Sequence, residues 1–415
     1  MIPPKANEVT GWRQALRLLL ALRASPGLPL LFLLAIFLPL ADMAFHPRRP
    51  ATTLENRQLA AKPDFSWQQP LDYLKKYEAY FNDHFGFRPR LLRAHNRLLY
   101  RLFHAAPSEK VIIGRRGWLY LGRGAYFNNE IDYFRASKPF SLQELQKFKT
   151  VLEQRRAWLE RRGIRYLFML APNKSTIYPE YMPAAYNRVH ERSRMDQLLD
   201  FLSRHSDVEV LDLRPALLRE KRRMRIYHKT DTHWNDLGGY HAYREMIRHL
   251  QRHFADIQPL SRGDITIRPV DGEGGDLAIM LALQQDLFRE SRIQVRPKAR
   301  FRARSAAPTP GFRPRAPWVR LTAVECAGGR IPAGVMVRDS FARQLHPFLS
   351  EHFQRIVYIW DWELRFFTQV IEREKPRIVI DQMAERSLLS ILPENPGELA
   401  AAARRPDGGP SLNPR

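Results

Sequence analysis

The sequence predicts an α/β fold, a parallel sheet flanked by helices, behind an N-terminal transmembrane anchor helix. Three observations carry that expectation. The runs Tyr166-Leu167-Phe168-Met169-Leu170-Ala171, Val335-Met336-Val337, Ile356-Val357-Tyr358-Ile359 and Ile378-Val379-Ile380 are continuously apolar, the pattern of strands buried on both faces. Stretches of helical character separate them, and strands alternating with helices build layered α/β sheets. Ahead of them all, Ala24 to Ala41 passes without a charged residue.

That uncharged run predicts a single membrane crossing over 24–45. Lys5, Arg13, Arg17 and Arg23 precede it, which places residues 1–23 in the cytoplasm and everything after Asp42 on the far side. A cleaved signal peptide is the rival. Asp42 stands where a cleavage site wants a small residue, so the uncleaved signal anchor is preferred. Residues 46–107 then read as a membrane-proximal linker with helices at Asp72 to Tyr80 and Arg90 to Phe103, joined by the turn-rich Asn82-Asp83-His84-Phe85-Gly86-Phe87-Arg88.

The main domain is expected over 108–392. Val111-Ile112-Ile113 and Trp118-Leu119-Tyr120-Leu121 read as a hairpin. Ser141-Leu142-Gln143-Glu144 is a capping box that opens a helix, and Gly163 supplies its left-handed stop. Met195 to Leu202 predicts another helix leading to a strand at Val208 to Leu213, and further helices are expected at Phe341 to Phe353 and Leu364 to Glu374. Residues 289–320 hold ten basic residues against one acid, Glu290, with five prolines interspersed. This segment reads either as a basic insertion or as a solvated connection. Residues 393–415 read as a disordered tail.

Composition bounds the function. In 415 residues, 67 basic against 43 acidic side chains leave a net charge of +24, which favours polyanionic partners. Nucleic acid conflicts with an export segment, and no helix-turn-helix, RNP or zinc-finger pattern is present. Cys326 is the sole cysteine, so an intramolecular disulfide and multi-cysteine metal sites are excluded.

Reactive side chains are sought just past strand ends, where open α/β sheets bind ligands. Ser340, in Arg338-Asp339-Ser340-Phe341, stands at a strand-to-helix turn, as either an exposed nucleophile or a helix cap. In Asp231-Thr232-His233-Trp234-Asn235, aspartate and histidine two apart suit a general base with its orienting carboxylate, or metal ligands. Pro172-Asn173-Lys174 with Tyr178-Pro179-Glu180-Tyr181 follows the strand ending at Ala171. Asn173 would suit an oxyanion donor and Lys174 an anion contact, or the stretch is a polar turn. The helical pair His249 and His253 lacks the Glu of a His-Glu-x-x-His site and reads as surface.

Together with Glu55-Asn56-Arg57, Asn82 to Arg88, Gly117-Trp118-Leu119-Tyr120 and Gly275-Asp276-Leu277, these motifs resemble the alginate O-acetyltransferase family in order and spacing. The resemblance covers about Leu54 to Leu392 and implies an SGNH-hydrolase-like domain, circularly permuted so that the Asp-His loop precedes the serine. By that resemblance Ser340 is the nucleophile, His233 the base and Asp231 its partner, with Asn173, Lys174, Tyr178, Trp234 and Arg338 toward substrate. It implies no cofactor and no metal. It further implies an anchored periplasmic enzyme supplied with acetyl by a membrane-bound O-acyltransferase, which acetylates hydroxyls of a secreted polysaccharide. An acetyl esterase with the same three residues, or a non-catalytic polysaccharide-assembly scaffold, is the alternative. Two departures stand out: Arg338 occupies a position where glycine is common, and the oxyanion-hole Gly and Asn blocks are not recognisable.

Overall fold

A computed structural model of the protein describes residues 27–45, 59–65, 67, 69–124 and 130–396. The segment 1–23 expected in the cytoplasm, Glu55-Asn56-Arg57 and the stretch beyond 396 expected as a tail lie outside the described residues. The chain divides into two compact units, Met1–Phe103 and His104–Arg415.

Among the described residues the first unit contains three helices: α1 (Gly27–Phe45), α2 (Pro70–His84) and α3 (Arg88–Phe103). Leu30, Leu31, Phe32, Phe37 and Leu38 of α1 are exposed. No described helix is long and apolar enough to cross a membrane. Before Asp42, the apolar part of α1 from Gly27 to Ala41 rises about 22 Å at 1.5 Å per residue, against a hydrocarbon core of about 30 Å. The spanning anchor expected over 24–45 is therefore not borne out among the described residues. Asp42 is instead part of a local link, its Oδ2 accepting from the Phe87 amide at 3.0 Å.

The second unit opens with the expected hairpin, β1 (Val111–Ile113) against β2 (Leu119–Leu121). Helix α4 (Leu142–Glu160) starts where the capping box placed it: Ser141 Oγ accepts from the Glu144 amide at 3.2 Å and Glu144 Oε2 from the Ser141 amide at 2.8 Å. Gly163 has φ 69°, the left-handed geometry of a helix stop. Strand β3 (Arg165–Ala171) follows, then α5 (Arg194–His205), β4 (Val210–Asp212), α6 (Arg214–Lys221) and α7 (Asp236–Leu250).

Residues 289–320 are not a loose connection. They contain β6 (Glu290–Pro297), paired antiparallel with β5 (Ile265–Gly272), and the edge strand β7 (Arg304–Ala306), before β8 (Arg320–Glu325) begins. Their basic side chains face outward from a ribbon and a sheet edge, so charge masked the strand pattern. The chain ends through β9 (Ile331–Arg338), β10 (Phe353–Trp360), α8 (Thr368–Glu374) and β11 (Ile378–Ala384). The long helix expected from Phe341 to Phe353 is a 3-10 turn, Ser340–Gln344, followed by a short helix, His346–Ser350. Pro347 fits the first turn of that second helix, where its missing N–H removes no bond.

The main sheet runs β4-β3-β11-β9-β10-β8-β7. The first five strands are mutually parallel and the last two pair antiparallel. Both faces are covered, as the apolar runs require. Leu167, Met169 and Ala171 of β3 join the core that includes α7, while Tyr166, Phe168 and Leu170 join the core that includes α4 and α5. The parallel register brings the carboxyl ends of β3, β9, β10 and β11 to one edge. Four loops gather there: 172–174, 339–341, 361–362 and 385–387.

Candidate active site

Ser340 is the first residue past Asp339, which caps the turn after β9. Asp339 is buried and fully engaged. Its Oδ1 accepts from the Phe341 amide at 2.8 Å and from Gln382 Nε2 at 2.8 Å, and its Oδ2 accepts from the Ala384 amide at 2.6 Å. One carboxylate thus clamps the serine turn to the neighbouring strand β11. Beginning a 3-10 turn, Ser340 also carries one of the amides that a helix start leaves without an internal partner.

The histidine loop reaches Ser340 from the entrance of α7. Asn235 caps that helix, its Oδ1 accepting from the Gly238 amide at 3.0 Å, and Trp234 Nε1 donates to the Phe341 carbonyl at 2.9 Å. Gly239 allows the helix to approach the serine turn closely, since a Cβ there would stand 2.3 Å from Gln344 Cβ. His233 Nε2 lies 2.7 Å from Ser340 Oγ, and His233 Nδ1 lies 2.7 Å from Asp231 Oδ1. The structure therefore brings Ser340, His233 and Asp231 into one hydrogen-bonded line.

A second carboxylate backs this line. Asp276 accepts from the Thr232 amide at 2.8 Å and from Thr232 Oγ1 at 2.6 Å, and lies 3.8 Å from His233 Nδ1. Burial and the neighbouring Asp231 push its carboxyl up from the ordinary range. Burial pulls Asp231 the same way, but its hydrogen bond to His233 and the charges of His233 and His228 outweigh it and hold the carboxyl far below. The two acids are driven apart, Asp231 toward the charged form and Asp276 toward the neutral one. Asp231, His233 and Asp276 offer donor atoms within 4.8 Å of one another, close enough for a metal ion. Both imidazole nitrogens already face protein partners, and the Asp276 carboxylate is engaged by the Thr232 amide and hydroxyl.

The pocket in front of Ser340 has a volume near 290 Å³ and is lined by His233, Asp276, Ser340, Trp360, Trp362 and Arg386 among others. None of the five substrate contacts expected from sequence lines it. Lys174 is buried, and its Nζ donates to the carbonyls of His228, Lys229 and Asp231 at 3.2, 3.1 and 2.7 Å. It braces the histidine loop from behind, and burial lowers its pKa to about 8. Asn173 is fully buried, with its amide donating to Glu385 Oε2 at 2.7 Å and its Oδ1 accepting from the Arg386 amide at 3.3 Å. Tyr178 packs against Trp118 at 4.4 Å in the core, and Trp234 is wholly buried. Arg338 lies over the Trp360 ring at 4.7 Å, and burial lowers its pKa to about 10.

Trp360, Trp362, Asp276 and Arg386 were not singled out as site residues from the sequence. The available signal was position: Trp360 ends β10, Trp362 follows it, and Arg386 stands two residues past β11.

Residues 111–309 match the family described as the SGNH hydrolase-like domain of the acetyltransferase AlgX. That segment holds Asp231, His233 and Asp276 and stops short of Ser340. The probable alginate O-acetylase AlgJ of Pseudomonas aeruginosa is 27% identical over 165 residues, and the match spans only 38% of that protein and 39% of this chain. Among solved structures, Bacillus cereus PatB1 is similar at 15% identity and TM-score 0.45, over 60% of this chain and 91% of that one. The O-acetyltransferase domain of Pseudomonas putida AlgJ is similar at 17% identity and TM-score 0.43, over 70% and 97%. Likenesses that loose carry no conclusion about chemistry. The family match and the sequence relative bear out the resemblance read from the motifs: this chain is similar to an alginate O-acetyltransferase-like family with an SGNH hydrolase-like domain.

Proposed function

We propose that this protein is a polysaccharide O-acetyltransferase that works through an acetyl-serine intermediate on Ser340. The observation that carries the reading is the line Asp231 Oδ1, His233 Nδ1, His233 Nε2, Ser340 Oγ, with 2.7 Å at each link and a pocket in front of it. His233 takes the Ser340 proton as Oγ attacks the acetyl carbonyl of a donor ester, and Asp231 stabilises the imidazolium. The tetrahedral oxyanion faces the free amide of the Ser340 turn. Collapse expels the donor alcohol, which takes the proton from His233 and leaves acetyl-serine. A sugar hydroxyl then gives its proton to His233 and attacks, and Ser340 recovers a proton as it leaves.

The name of the sequence relative suggests alginate or a similar secreted polymer, and the net charge of +24 suits an anionic chain. On this reading the domain works in the periplasm beside a membrane-bound O-acyltransferase that supplies acetyl. The apolar N-terminal segment that includes α1 would hold it at the inner membrane. The Asp-His loop preceding the serine in the chain is read as a circular permutation.

The test is intact-mass spectrometry of the 415-residue chain after incubation with an activated acetyl ester, for wild type and Ser340→Ala, with and without oligosaccharides. The expected result is one acetyl on the wild type, none on the variant, and transfer of that acetyl to an oligosaccharide. Acetyl released only to water would make the protein an esterase, and the absence of serine-dependent acetylation would leave a scaffold.

A further inference from the structure

Helix α3 is the most one-sided segment of the first unit in charge. It carries Arg88, Arg90, Arg93, Arg97 and Arg101, and no acid occurs between Asp83 and Glu109. Helix α2 is the contrast, since its Asp72, Glu78 and Asp83 offset Lys75 and Lys76. Along α3, Leu91, Leu98 and Leu102 recur at i, i+7 and i+11, which at 3.6 residues per turn keeps them within about 40° of one another. That stripe is not core. The three leucines are 51%, 58% and 62% exposed, whereas Asn96, on another side of the helix, is buried. By the same spacing Arg90, Arg97 and Arg101 border the stripe on one side and Arg88 on the other.

Leucines left open to water between arginines are unfavourable in solution, and one surface accommodates both. At a bilayer interface the acyl boundary lies just beneath a layer of charged headgroups. A helix in that plane sinks its leucines, while guanidiniums on long apolar stems stay level with the phosphates. An acidic sugar chain would pair with the arginines but leave the leucines wet. The joint with α1 points the same way. Asp42, near the end of α1, accepts from the Phe87 amide just ahead of α3, and a Cβ on Gly86 would stand 1.8 Å from the Pro39 carbonyl oxygen. The exposed apolar side chains of α1 thus belong to a helix that ends beside the first turn of α3, and a bilayer that takes in one meets the other.

We propose that α3 is an interfacial helix that lies on an anionic phospholipid bilayer, with the Leu91, Leu98 and Leu102 stripe in the acyl boundary and the bordering arginines on headgroup phosphates. This goes beyond the reaction at Ser340 and does not depend on it.

The test places an environment-sensitive dye on α3 of the 415-residue chain. Ala94 is exposed beside the stripe, so Ala94→Cys takes the label, while the native Cys326 is buried. Dye emission is followed with vesicles of phosphatidylcholine alone and with vesicles that also contain phosphatidylglycerol. The expected result is a blue shift with the anionic vesicles and about tenfold or more less insertion into the neutral ones. Salt near 1 M, where the Debye length is about 3 Å, should remove most of that preference. An arginine near an anionic surface is worth roughly 1 kcal/mol, about fivefold, so Arg90→Gln with Arg101→Gln should lower the ratio of inserted to free label about thirtyfold. Leu91→Gln with Leu98→Gln should abolish the shift even at low salt. The matched pair Arg296→Gln with Arg300→Gln, on the second unit, should change it by less than about twofold. Equal insertion into both vesicle types, or an equal loss from the matched pair, overturns the proposal. So does a shift that appears without lipid as the protein concentration rises, which gives the stripe to a second copy. A shift produced by hexuronate oligomers overturns it as well and gives the arginines to a polysaccharide. If a glutamine variant does not fold, as judged by its melting curve, the salt series on the labelled parent chain decides.

Discussion

Trp234 donates its indole N–H to the carbonyl oxygen of Phe341 at 2.9 Å, tying the residue after His233 to the residue after Ser340. His233 and Ser340 come from segments more than a hundred residues apart in the chain, and this bond ties the two segments together inside the core. Trp234→Phe keeps most of the ring and removes the donor. It should cost about 1 kcal/mol, the net worth of one buried hydrogen bond. Serine acetylation should slow by about tenfold or more as the 2.7 Å contact loosens. A melting curve and the rate of Ser340 acetylation check both; a variant that is destabilised but acetylates at the wild-type rate would show that Trp234 is mere packing.

Asp339 clamps the serine turn through three accepted bonds, two from backbone amides and one from Gln382. Asp339→Asn replaces one acceptor oxygen with an amide donor, which must face another donor. The expected result is a folded protein whose Ser340 acetylation falls about a hundredfold, the penalty of roughly an ångström of misplacement. Retained activity in this variant would show that the turn is held in place by its own backbone.

The parts of the site legible in the sequence are those that one short segment specifies by itself. Asp231 and His233 sit two apart in a helix-entry loop, and Ser340 directly follows an apolar strand run, so type and position pointed the same way. The direction of a side chain is not written locally. Lys174, Tyr178 and Trp234 adjoin those motifs in sequence, yet they turn inward and brace the loops from behind. Arg386 and Trp362 escaped notice for the converse reason: the pocket is assembled from the ends of separate strands, and only the sheet order brings those ends together. In the fold, the buried parallel strands were readable because their apolar runs are unbroken. Strands β6 and β7 were not, because a ribbon and an edge strand expose enough surface to tolerate arginine and proline.

Gly275 is needed because of Asp231. A Cβ at position 275 would stand 2.3 Å from Asp231 Cβ and 2.7 Å from its Oδ2. The backbone of the Gly275-Asp276-Leu277 segment cannot retreat freely, since the Leu277 and Ala278 amides donate to the Thr230 carbonyl at 3.1 and 3.2 Å. Gly275→Ala should therefore displace the Asp231 carboxylate from His233. Acetylation of Ser340 is expected to drop by about ten- to a hundredfold, with the fold retained by circular dichroism. Wild-type rates would mean that the loop gives way without moving Asp231.

Lys174 makes stability depend on alkaline pH. Burial lowers its pKa from 10.5 to about 8, against the pull of Asp276, Glu290, Asp231 and Glu130. Between those two values the unfolded chain holds a proton that the native protein has released. Stability must then rise with pH through this window, and the charged-lysine cost returns in full as pH falls below the folded value. The slope for one group approaches about 1.4 kcal/mol per pH unit. Buried tyrosines such as Tyr178, raised by burial to about 12, oppose the trend above their ordinary range. The measurement is therefore a difference. Urea midpoints for wild type and Lys174→Met at pH 8, 9 and 10 should show the wild type gaining on the variant as pH rises. A gap that stays flat, or closes, would mean that the carbonyls of His228, Lys229 and Asp231 keep the ammonium charged inside the fold, and that its bracing of the histidine loop is that of a buried cation throughout.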